Sequence, residues 1–159
     1  MCFGTRFEQT RIDVGEAEIN LVHGGSGAPL LLLHGYPQTH VMWRTVAPAL
    51  TDRFHVICPD LRGYGDSTGP ASTADHAPYS KRAMAKDMVE VMARLGYPRF
   101  QVAGHDRGAR VAHRMALDHP ERVLRACMMD ILPTHYMFRH TDQGFATGYY
   151  HWVFLIQPD

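Results

Sequence analysis

Hydrophobic and polar positions follow two rhythms along the chain, one with the period of strands and one with the period of helices. Ala17 to Val22 alternates apolar with polar residues and predicts a strand entered from a turn at Gly15. Gly24-Gly25-Ser26-Gly27 interrupts the pattern and predicts a hairpin loop; it lacks the Lys-Ser/Thr of a phosphate loop. Leu30 to Leu33 is continuously apolar, as expected of a central strand covered on both faces. A short helix is predicted within Met42 to Leu50, and a second buried strand over Phe54 to Cys58. Asp60 to Pro78 is rich in Gly, Pro, Ser and Asp and predicts a long surface loop. Ser80 then offers an N-cap, and Met84, Met88, Val91, Met92 and Leu95 recur at helical spacing until Gly96. A strand over Phe100 to Ala103, a helix over Gly108 to Asp118 and a strand over Val123 to Leu132 complete the alternation. Strand and helix in turn predict an α/β fold with a largely parallel sheet. From Pro133 the chain becomes aromatic-rich, with Tyr149, Tyr150, Trp152 and Phe154 close together. Two segments are therefore expected: a core over 1–132 and the start of a different layer over 133–159.

Composition narrows the function classes. With 159 residues, 45% hydrophobic and 20% charged, the chain can bury one core and is too apolar to be disordered. Its 16 basic and 16 acidic residues cancel, which argues against a general binder of nucleic acid or of a membrane surface. Among the basic residues only Lys81 and Lys86 are lysines, so planar guanidinium forks are abundant. The longest apolar run, Pro29 to Leu33, is far short of the roughly 20 residues a membrane helix needs. No apolar signal-peptide region follows Met1, so a cytoplasmic protein is expected. Cys2, Cys58 and Cys127 are odd in number and widely spaced, which excludes a disulfide framework and predicts reduced, mostly buried thiols. Eleven histidines form no HExxH or other metal-ligand spacing, and neither metal nor cofactor is expected.

The strongest chemical signal is Gly104-His105-Asp106-Arg107-Gly108, between a predicted strand and a predicted helix. It has the form of a nucleophile elbow with Asp where serine hydrolases carry Ser. Small glycines permit the tight turn, and the helix N-terminus favours an ionised carboxylate there. An Asp after a strand is equally an ordinary helix cap, so this segment alone leaves both readings open. Leu33-His34-Gly35-Tyr36-Pro37, Asp60-Leu61-Arg62-Gly63-Tyr64-Gly65-Asp66-Ser67 and Met128-Met129-Asp130-Ile131-Leu132-Pro133 each follow or end a predicted strand.

In this order, HGYP, DLRGYGDS, GHDRGAR and MMDILP resemble the α/β-hydrolase family, in its branch with an Asp nucleophile, over about Thr10 to Pro158. That branch holds haloalkane dehalogenases, epoxide hydrolases and fluoroacetate dehalogenases. The first two act on neutral substrates and usually place Trp directly after the nucleophile. Here Arg107 follows Asp106 and Arg110 lies one helical turn on, so two guanidinium forks can face a small carboxylate. Similarity to fluoroacetate dehalogenases implies that Asp106 is the nucleophile, that Arg107 and Arg110 bind the carboxylate of a small anionic substrate, and that His151 and Trp152 receive the halide. It also implies an oxyanion hole from the backbone N–H groups of Tyr36 and Arg107, an orienting role for Asp130 toward a catalytic His, buttressing roles for His34 and His105, and a homodimer. Tyr149 and Tyr150 suggest the competing activation of an epoxide ring, but the Arg pair has no role there. In the family the catalytic His follows the cap in chains roughly twice this length; His135, His140 and His151 come too early. The chain is therefore expected to be an N-terminal half, and a non-catalytic fragment is the rival from another class.

Overall fold

The computed structural model describes residues 3–154. Cys2 and residues 155–159, assigned above to a reduced thiol and to the aromatic segment, lie outside the described residues. Strand β1 (Phe7–Asp13) pairs antiparallel with β2 (Glu18–Gly24), and β2 pairs antiparallel with β4 (Phe54–Pro59). Strand β3 (Ala28–Leu33) lies parallel between β4 and β5 (Phe100–His105), and β5 pairs parallel with β6 (Val123–Met129). The sheet order is β1-β2-β4-β3-β5-β6.

Both faces of the central strands are covered, which accounts for their unbroken apolar runs. Leu31, Leu33 and Ile57 face helices α2 (Lys81–Arg94) and α3 (Arg107–Asp118), meeting Met88, Met92, Val111 and Met115 in one core cluster. Leu32, Val56 and Cys58 turn the other way, onto Trp43, Ala47 of the short helix α1 (Ala47–Leu50), Phe3 and Phe7. Helix α2 begins where Ser80 accepts the Ala83 N–H at 3.2 Å and ends at Gly96, whose φ is 84°. Three short helices follow β6: α4 (Thr134–Arg139), α5 (Gln143–Gly148) and α6 (Tyr150–Phe154).

The structure departs from the sequence expectations in four places. Strand β1 was not foreseen, because its residues are mostly exposed and carry little apolar alternation. The glycine segment 24–27 is no hairpin: β4 lies between β2 and β3, so the loop passes from one strand to a non-neighbour. There the backbone of Gly25 and Gly27, at φ 86° and 121°, lies so close to residues 51–54 that a side chain would collide. The last strand ends at Met129 rather than Leu132, because Asp130 turns into the left-handed region at φ 59°. Of the cysteines, Cys58 is buried as expected, but Cys127 is exposed on β6. Among the described residues no helix is long and apolar enough to cross a membrane.

Candidate active site

The strand order reverses about β3. The chain leaves β3 toward β4 on one side and returns to β5 on the other, which opens a crevice at the carboxyl ends of β3 and β5. Both candidate motifs stand there: HGYP directly after β3, and the elbow directly after β5.

At the elbow Asp106 adopts φ 49°, ψ −116°, a conformation that costs a non-glycine residue about 1–3 kcal/mol. The surroundings hold it there. Its N–H donates to the Met129 carbonyl at 3.1 Å, and its carbonyl accepts from Arg110 N–H at 3.2 Å. A Cβ at Gly104 would collide with the Gly108 backbone, one at Gly108 with the Leu33 carbonyl, and one at Gly35 with Asp106 itself. The glycines thus let three backbone segments meet beneath one carboxylate. That carboxylate is not tied down as a helix cap: no N–H of α3 bonds its side chain. Instead Oδ1 accepts the backbone N–H of Tyr36 at 2.9 Å.

Asp106 opens into a cavity of about 480 Å³ lined also by Tyr36, Lys81, Arg107, Arg110, His151 and Trp152. Five of the residues singled out in the sequence are therefore brought together around Asp106. Arg107 lies over the Tyr36 ring, 4.9 Å from its centroid, and Arg110 over the Trp152 ring at 4.3 Å. Arg110 is buried, and its fork is partly spent inside the fold. One terminal nitrogen donates to Thr134 Oγ1 at 2.6 Å and to the Leu132 carbonyl at 3.4 Å, and the other contacts Met137 Sδ at 2.9 Å. Its Nε is buried without a partner, and burial lowers its pKa. Arg110 thus ties the start of α4 to the elbow helix as well as facing the cavity.

Lys81 went unremarked as a site residue in the sequence. It opens α2, where burial first, and then Arg107 and Arg110, bring its pKa down to about 8. A signal was present: a lysine in the first turn of a helix opposes the macrodipole. Tyr149 and Tyr150 are not among the residues lining the cavity, and Tyr150 is largely exposed.

Asp130 stands at the end of β6, outside the cavity lining, with its side chain mostly exposed and 3.4 Å from His105 Nε2. His34 is fully buried under the HGYP turn. Its Nε2 accepts the Leu61 N–H at 3.0 Å and its Nδ1 lies 2.9 Å from the Gly35 carbonyl, so the neutral Nδ1–H tautomer satisfies both; burial lowers its pKa. Asp60 braces the same turn from below. It accepts from His40 N–H at 2.7 Å, His40 Nδ1 at 2.8 Å, Asn20 at 2.9 Å and Asp66 N–H at 3.1 Å. Burial alone would raise its pKa, but these donors outweigh burial and hold it at about 2. Among the described residues no cluster of His, Cys, Asp and Glu is placed to hold a metal ion.

Comparison with known proteins gives this arrangement a context. A family model for the alpha/beta hydrolase fold matches residues 28–154. A fluoroacetate dehalogenase from Burkholderia sp is 55% identical over 152 residues, 96% of this chain and 50% of that protein. A soluble epoxide hydrolase from Corynebacterium sp. is 46% identical over 115 residues, 72% of this chain and 38% of that protein. A crystal structure described as an alpha/beta hydrolase from Nostoc sp PCC 7120 is 66% identical with a TM-score of 0.96, covering 100% of this chain and 54% of its own. The chain thus spans about half the length of the relatives it matches, their N-terminal half. By elbow, sheet order and these likenesses together, it belongs to the α/β hydrolase family.

Proposed function

We propose that this chain carries the nucleophilic half of a hydrolytic dehalogenase that converts haloacetates, fluoroacetate among them, to glycolate and halide. The observation that carries the proposal is the Asp106 carboxylate, raised on a strained elbow with Oδ1 on the Tyr36 N–H, in one cavity with Arg107 and Arg110. Arg107, and the part of the Arg110 fork that faces the cavity, hold the substrate carboxylate. Asp106 Oδ2 attacks the carbon bearing the halogen in line; the new C–O bond forms as the C–halogen pair leaves with the halide. His151 and Trp152 meet that developing charge with N–H donors. Water then adds to the Asp106 carboxyl carbon, and the oxyanion builds on Oδ1, the atom that accepts the Tyr36 N–H; the Arg107 N–H is the second donor in this reading. Collapse expels glycolate and restores the aspartate. The water-activating His, oriented by Asp130, comes in this account from the half that the relatives add, and residues 133–159 begin the cap.

An epoxide hydrolase is the second reading, favoured by the Corynebacterium relative. Two cationic forks beside the nucleophile weigh against it, since a neutral epoxide gives them nothing to bind. The test is Asp106→Asn in a protein carrying this chain at the length of its relatives. Fluoride release should fall by at least about a thousandfold, because a neutral amide cannot displace halide. Unchanged release, once deamidation is excluded by mass spectrometry, would remove Asp106 from the role of nucleophile.

A further inference from the structure

Among the described residues the cavity is lined by more positive than negative charge. Lys81, Arg107 and Arg110 line it together, and Asp106 is the one carboxylate among its lining residues. Among the described residues no ion pair uses any of the three cations. Three cations then face one carboxylate, and a bound monocarboxylate adds only a second.

Lys81 is the least explained of them. Among the described residues its ammonium makes one weak contact, to Met84 Sδ at 3.5 Å, while burial and its two cationic neighbours press it toward losing its proton. It also begins α2, whose first turn carries no acidic residue and whose N-terminus disfavours a cation. Neither helix stability nor an ion pair accounts for a charge in this place. An anion in the cavity would relieve all three costs at once.

We propose that Lys81 is a specificity-determining cation that binds a second carboxylate of the substrate, so that the site takes 2-halo dicarboxylic acids such as 2-chlorosuccinate. The inference rests on the dehalogenase reading of Asp106. One carboxylate sits with the Arg107 and Arg110 forks, and the halogen-bearing carbon faces Asp106. The second carboxylate, a methylene further on, reaches the Lys81 ammonium. The chemistry is unchanged: the Asp106 oxygen bonds carbon, the C–Cl pair departs as chloride, and water releases the 2-hydroxy dicarboxylate with a proton.

The test compares 2-chlorosuccinate with chloroacetate in a protein carrying this chain at the length of its relatives, as wild type, Lys81→Met and Lys81→Arg. Loss of one charged hydrogen bond predicts that Lys81→Met lowers the diacid-to-monoacid ratio of kcat/KM by about 30-fold, mainly through KM, and that Lys81→Arg largely preserves it. Calorimetric binding of the unreactive pair succinate and acetate gives a readout independent of turnover. Succinate should bind more tightly than acetate in wild type and lose that advantage in Lys81→Met. If the reaction reading alone fails, halide release is absent but the Lys81-dependent preference for succinate remains. A diacid-to-monoacid ratio unchanged by Lys81→Met, or succinate no tighter than acetate in wild type, overturns the inference while leaving haloacetate turnover untouched.

Discussion

Arg107 and Arg110 illustrate how much a residue's neighbours decide. Both point to anion capture in the sequence, and both line the cavity, yet Arg110 is also bonded to Thr134 and Leu132 whereas Arg107 lies over the Tyr36 ring and meets the Tyr64 hydroxyl. Arg107→Leu should therefore lower kcat/KM for haloacetate by about a hundredfold, from the loss of a charged fork, with little change in stability. Arg110→Leu should lower it at least as far and also reduce the unfolding midpoint, since buried partners lose their donor. Activity on a neutral epoxide, measured in parallel, should fall much less for Arg107→Leu. An equal fall for both substrates would mark the guanidinium as a support rather than a ligand. Lys81 carried only a weak signal, a cation in the first turn of a helix, and it is the cavity it lines beside Asp106 that gives that lysine something to face.

At the scale of elements, the buried strands announced themselves because both faces of β3 and β4 are covered, and α2 and α3 because their apolar stripes pack on those faces. Strand β1 and the passage from β2 to β3 did not. An exposed edge strand needs no apolar rhythm, and strand order is decided by which surfaces meet rather than by which strands are consecutive. The loop after β4 was legible as a loop but not as an anchored one. Arg62 within it is buried and grips Asp87 of α2 through Nε at 2.6 Å and a terminal nitrogen at 2.5 Å, with a further bond to the Pro78 carbonyl at 2.6 Å. Removing Asp87 leaves the buried guanidinium with the exposed Glu16, at 3.3 Å, as its ionic partner, so Asp87→Ala should cost about 3–5 kcal/mol in urea unfolding. Arg62→Met combined with Asp87→Leu should recover much of that loss, because no charge is then left unpaired. A cost below about 1 kcal/mol for Asp87→Ala would show that the pair is solvated rather than holding the loop to α2.

The molecule as a whole places its chemistry where an α/β sheet leaves room for it, at the switch between β3 and β5. This explains why motifs 70 residues apart, at Tyr36 and Asp106, come within one hydrogen bond. The elbow and the HGYP turn were readable because each sits at a strand end marked by glycine, whereas His151 and Trp152, on α6, rested on the family resemblance alone. The water-activating step was not, because the chain spans only about half the length of its relatives. Esterification of Asp106 itself is read out by a single turnover of fluoroacetate in heavy-oxygen water. The measurement uses excess protein carrying this chain at the length of its relatives. The ester route predicts glycolate whose hydroxyl carries ordinary oxygen from the protein, and a heavy oxygen appearing on the peptide that contains Asp106. Heavy oxygen delivered straight into the glycolate hydroxyl, with none on Asp106, would mean that water attacks the substrate directly and would contradict the account.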